Sequence, residues 1–141
     1  MKKETIFGIS ETAVSLLLTI GSFTFLSACG IHEGKYMACH WAQNTITLLG
    51  IILTVQSVAR LILKDRARIG LSLSIFTLAV SAVLIPGTVI NLCMMETMRC
   101  HTIFRPAVFA IGIILALISG ADAVTAFIKS GRENEHQVSA A

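Results

Sequence analysis

Apolar stretches separated by short polar segments run the length of the chain. Four of them, at about 8–28, 44–63, 69–92 and 107–128, each hold close to the ~20 residues that cross a bilayer core as a helix. The segments between them are too short to fold separately. Residues 130–141 are polar and without apolar periodicity, so they are expected to be unstructured. The pattern predicts an all-α membrane protein: one domain over 1–130 with four transmembrane helices, then a polar cytoplasmic tail over 131–141.

Composition strengthens this reading. Of 141 residues, 55% are hydrophobic and 13% charged, far from the soluble average. The net charge of +3 is small and dispersed, which argues against a nucleic-acid partner and leaves the lipid bilayer as the expected one. Basic residues do sort by side. Lys2, Lys3, Lys64, Arg66, Arg68, Lys129 and Arg132 flank one set of span ends, and only Lys35, Arg99 and Arg105 flank the other. The positive-inside rule then places both termini and the middle turn in the cytoplasm, with outer loops at 29–43 and 93–106. One competing reading concerns the start of the chain. Met1-Lys2-Lys3, the apolar run and Leu26-Ser27-Ala28-Cys29 are arranged like a lipoprotein signal with Cys29 as its lipidated residue. Glu4 and Glu11 spoil the basic leader, and the repeat described next needs the first helix in place.

The chain reads as two tandem helical hairpins related by a pseudo-twofold repeat. Gly8-Ile9-Ser10, Cys29, Met37-Ala38-Cys39-His40 and Gly50-Ile51-Ile52-Leu53 recur in order as Gly70-Leu71-Ser72, Cys93, Met98-Arg99-Cys100-His101 and Gly112-Ile113-Ile114-Leu115. Met-x-Cys-His, preceded each time by another cysteine, carries most of the weight. A twofold axis along the membrane normal would bring the two outer loops together.

Soft metal ligands are concentrated in those loops. Cys29, His32, Met37, Cys39 and His40 fall in the first, and Cys93, Met94, Met95, Met98, Cys100 and His101 in the second. Two structural disulfides among Cys29, Cys39, Cys93 and Cys100 account for the cysteines, and the repeat favours pairs within each loop. They do not account for the rest. His32, Met37, His40, Met94, Met95, Met98 and His101 form a candidate soft-metal set suited to copper(I), with iron a poorer match. Cys-x-x-Cys is absent, so the motifs of zinc ribbons, thioredoxins and quinone-type membrane oxidoreductases are missing. Trp41 is expected to anchor the outer interface. Pro86-Gly87 predicts a kink in the third helix.

Glu11, Arg60 and Asp122 fall within predicted spans and form a candidate intramembrane charge cluster. A charge there costs on the order of 3 kcal/mol on insertion scales, so Arg60 is expected to pair with Asp122 and Glu11. A proton or ion relay is the functional alternative to structural pairing.

At Cys29-Gly30, Lys35-x-Met37-x-Cys39-His40-Trp41, Leu84-Ile85-Pro86 and Cys93, the chain resembles the bacterial four-helix membrane proteins grouped as domain of unknown function 4418. The resemblance implies a multi-pass protein of the bacterial inner membrane and the company of ABC-type permeases, some in metal-linked settings. Thr102 follows Cys100-His101, so a role for Trp41 belongs to one loop only. The expected function is therefore a non-enzymatic accessory subunit or partner of a membrane transporter, with homo-oligomers open to it. Its outer loops would be disulfide-stapled and contact a partner or a soft metal. The alternatives are a membrane thiol–disulfide oxidoreductase and a stand-alone copper- or iron-binding membrane protein.

Overall fold

Four helices follow one another: α1 (Lys2–Phe23), α2 (Ala38–Ile62), α3 (Arg66–Leu84) and α4 (Arg105–Ser139). The computed structural model describes residues 2–24, 26, 38–63, 66–92 and 99–139. All four helices are long and apolar enough to cross a membrane. Hydrocarbon offers backbone N–H and C=O groups no partner, so an apolar stretch there satisfies them within a helix. Hydroxyls obey the same constraint. Ser15 Oγ donates to the Glu11 carbonyl at 2.8 Å, Thr54 Oγ1 to that of Gly50 at 2.8 Å and Ser119 Oγ to that of Leu115 at 2.8 Å.

α1 packs most extensively on α2 and α3 on α4, while α2 on α3 and α1 on α4 close the bundle. The core draws Leu18, Ile46, Leu53, Ile75, Ala79, Phe104, Val108 and Leu115 from all four helices. Leu17, Ile51, Val55, Phe76, Ile113 and Leu117 point outward, where lipid replaces water as solvent. The chain is a multi-pass membrane protein.

The buried stripe of α2 is Ala42, Ile46, Gly50, Leu53, Ser57 and Arg60. That of α4, extended by the turn before it, is Phe104, Val108, Gly112, Leu115, Ser119 and Asp122. Spacing along the two stripes is the same, and each member has its counterpart at one constant offset. The two glycines are where helices come closest. A Cβ on Gly50 would lie 3.3 Å from the Thr19 Cα, and one on Gly112 would lie 3.5 Å from the Ala79 carbonyl oxygen.

The kink expected at Pro86-Gly87 is present, and two other expectations need correction. Helix α3 ends at Leu84, and the turn Ile85–Val89 that follows it carries a non-helical break at Pro86 and Gly87. Pro86 is extended (φ −74°, ψ 105°) and Gly87 left-handed (φ 98°, ψ −10°). Proline lacks the N–H that would continue the helix, and glycine takes the positive φ without a Cβ clash. At the far end, α4 carries helix through the polar tail to Ser139. Residues 132–139 contain no proline or glycine, and good helix formers extend an already nucleated helix cheaply. Lastly, Cys39, His40 and Trp41 lie in the first turn of α2 rather than in a loop. Cys100 and His101 lie in a π-helical turn, Cys100–Phe104, that runs straight into α4.

Candidate functional site

Near the end of the bundle that carries the N-terminus, four charged side chains from four different helices meet. Arg60 on α2 is the hub. Its Nη1 donates to Glu11 Oε2 on α1, and its Nη2 stands 2.6 Å from Asp122 Oδ2 on α4. From α3, Arg68 Nη2 reaches Asp122 Oδ1 at 3.1 Å and Ser72 Oγ donates to Asp122 Oδ2 at 2.9 Å. Two acids face two bases, so the network is neutral. Its first three members are buried, whereas the Arg68 side chain is 17% exposed and keeps one edge toward solvent. Buried Glu11 Oε1 and Arg60 Nε have no hydrogen-bond partner among the described residues.

Each charge is placed by helical periodicity. Glu11, Ser15, Leu18 and Ser22 share the buried stripe of α1, as Ser57 and Arg60 share that of α2. Sequence reasoning named Glu11, Arg60 and Asp122, and the structure brings these three together. It missed Arg68, which was counted among the basic residues anchoring a span end. Charge balance held the signal: two carboxylates and one guanidinium inside a membrane leave one negative charge unmatched.

Above this network the α1–α2 contact stays polar. Ser15 and Ser57 hydroxyls are 3.2 Å apart, Thr19 and Thr54 hydroxyls 3.3 Å, and Gln43 Nε2 donates to the Ser22 carbonyl at 2.9 Å. Between α2 and α3, Ser74 Oγ donates to Gln56 Oε1 at 3.4 Å.

Part of the candidate soft-ligand set lies at the other end of the bundle. Cys29, His32, Met37, Cys93, Met94, Met95 and Met98 fall outside the described residues. Cys39 and Cys100 are both fully buried at the starts of the α2 and α4 stripes. The following histidines, His40 and His101, are both half-buried. Cys39 is disulfide-bonded. Asn44 Nδ2 and His40 Nε2 are 3.2 Å apart, and the His40 ring meets the Trp41 ring edge-on with centroids 6.4 Å apart. Trp41 itself is exposed, as a side chain at a membrane interface is expected to be. His101, Arg105, Pro106 and Phe109 line a shallow groove of about 320 Å³ beside that end. Arg105 lies across Gly87, 3.3 Å from where a Cβ would stand. From Cys39 to Arg60 the helix rises roughly 30 Å, so thiol and imidazole chemistry stands a membrane thickness from the charge network.

No curated protein and no solved structure is similar to the chain. The profile of a family described as a domain of unknown function, DUF4418, matches residues 12–125, from the middle of α1 into the middle third of α4. That span takes in the network residues Arg60, Arg68 and Asp122, both Cys-His pairs and all of α2 and α3. The chain belongs to the DUF4418 family.

Proposed function

We propose that the protein is a small accessory subunit of a larger transporter in the bacterial inner membrane, an ABC-type permease by the family's implication. Both termini face the cytoplasm, and the two tandem hairpins present a paired outer surface. A disulfide at Cys39, with Cys29 or Cys93 as its partner, staples that surface, and the structure holds Cys100 outside any disulfide. His32, Met37, His40, Met94, Met95, Met98 and His101 offer it soft donors for a partner or for copper(I).

The observation that carries this reading is the matched burial of the two Cys-His pairs. In each, the cysteine packs into the bundle and the histidine is left at its edge. A pair built twice is suited to a shared contact surface. The bundle interior supports an accessory role rather than independent transport. Side chains from all four helices fill it, and its buried charges neutralise one another. A polar substrate crossing such a core would have to break both.

Extraction from native membranes in mild detergent tests the proposal. Expected is a stable, stoichiometric complex with a multi-span permease that dissociates when His40 and His101 are replaced by alanine. Recovery as a lone monomer overturns it. Alkylation with and without prior reduction tests the staple, since four reactive thiols in oxidised membranes would exclude it. Metal analysis of protein carrying Met94, Met95 and Met98 as leucine separates copper binding from docking by shape.

A further inference from the structure

We infer that the two hairpins carry their charges in opposite order, acid before base in the first and base before acid in the second, and that this inversion dictates which hairpin can pair with which inside the bundle. In α1–α2 the acid is on the first helix and the base on the second, Glu11 and Arg60. In α3–α4 the order is reversed, with the base Arg68 first and the acid Asp122 second. Each hairpin is thus neutral by itself through its own ion pair. The contact between them is a third pair, Arg60 with Asp122, at 2.6 Å.

Arg60 and Asp122 occupy the same place in the matching stripes of α2 and α4, after Ser57 and Ser119 respectively. Were the hairpins identical here, like charges would meet across the interface in a medium that does not screen them. Two first hairpins from different chains would set Arg60 against Arg60, and two second hairpins would set Asp122 against Asp122. Only a first hairpin against a second closes the network. From Ile46 to Ser57 on α2 and from Val108 to Ser119 on α4 the two stripes are nearly alike, so at this end of the bundle the sign of the charge is what tells one hairpin from the other. The charges therefore supply a pairing rule there. The rule concerns internal assembly and is independent of any transporter partner.

Full-length chains with inverted charges test the rule. Inverting the first hairpin alone (Glu11→Arg with Arg60→Glu) keeps its internal pair but sets a new carboxylate on α2 against Asp122. Inverting the second alone (Arg68→Glu with Asp122→Arg) sets Arg60 against a new guanidinium on α4. Both are expected to lower the monodisperse fraction surviving a heat step in mild detergent by about tenfold, as truncated buried pairs do. Inverting all four restores every pair and is expected to return that fraction to within about twofold of the unaltered protein. The rule is overturned if either half-inverted chain matches the unaltered protein. It is equally overturned if the fully inverted chain is no better than the halves.

Discussion

Helices α1 and α3 meet their neighbours α2 and α4 with opposite chemistry. Into the bundle α1 sends Glu11, Ser15, Leu18 and Ser22, whereas α3 sends Ser72, Ile75, Ala79 and Ala82. The α1–α2 seam is consequently a ladder of hydroxyls above an ion pair. The α3–α4 seam is a close fit of small and apolar side chains that turns polar only around Asp122. In lipid no water is released when apolar helix faces meet, so both seams must rely on contact itself. One uses directional contacts whose groups have nowhere else to go. The other uses shape.

The comparison can be broken most forcefully at the hub. Arg60→Met leaves Glu11 buried without a partner, while Asp122 keeps Arg68 and Ser72. A loss of about 3–5 kcal/mol is expected, measured as a fall in thermal midpoint in detergent. Replacing Glu11 with glutamine in the same chain should recover much of it. Next comes shape: Leu115→Ala empties the α4 stripe and should cost about 2–3 kcal/mol in the same assay. Third, Gly50→Ala is expected to cost about 1–3 kcal/mol, because its Cβ would meet Thr19 backbone. Gly112→Ala should cost less, since its nearest obstacle is the movable Val83 side chain. Smallest is the loss of one ladder rung. Ser57→Ala should cost about 0.6 kcal/mol, the usual worth of an interhelical hydrogen bond in a membrane. If Ser57→Ala outweighed Leu115→Ala, the contrast between the seams would be wrong.

The sequence made the number and nature of the helices legible because a bilayer sets their length and allows little else. Glu11, Arg60 and Asp122 were legible for the same reason: an unpaired charge in hydrocarbon is too costly to keep. Arg68 was not, since a basic residue at a span end has a sufficient role in anchoring. Cys39 and Cys100 were read as loop residues because hydropathy falls around Gln43-Asn44 and Arg105-Pro106, inside helical structure. Their helical position was written in periodicity instead. Cys39, Ala42 and Ile46 share one stripe, and so do Cys100, Phe104 and Val108. Pro86 announced a break but not its sharpness, which depends on the positive φ of Gly87.

The length of α4 has a practical consequence. Its 35 residues extend about 52 Å against a hydrocarbon core of ~30 Å, so its final turns stand in water as a continuation of a membrane-anchored rod. A spin label or fluorophore on those turns would report the tilt of α4, magnified by distance, rather than the wandering of a tether. That mast makes small rotations of the bundle in the membrane visible from outside it.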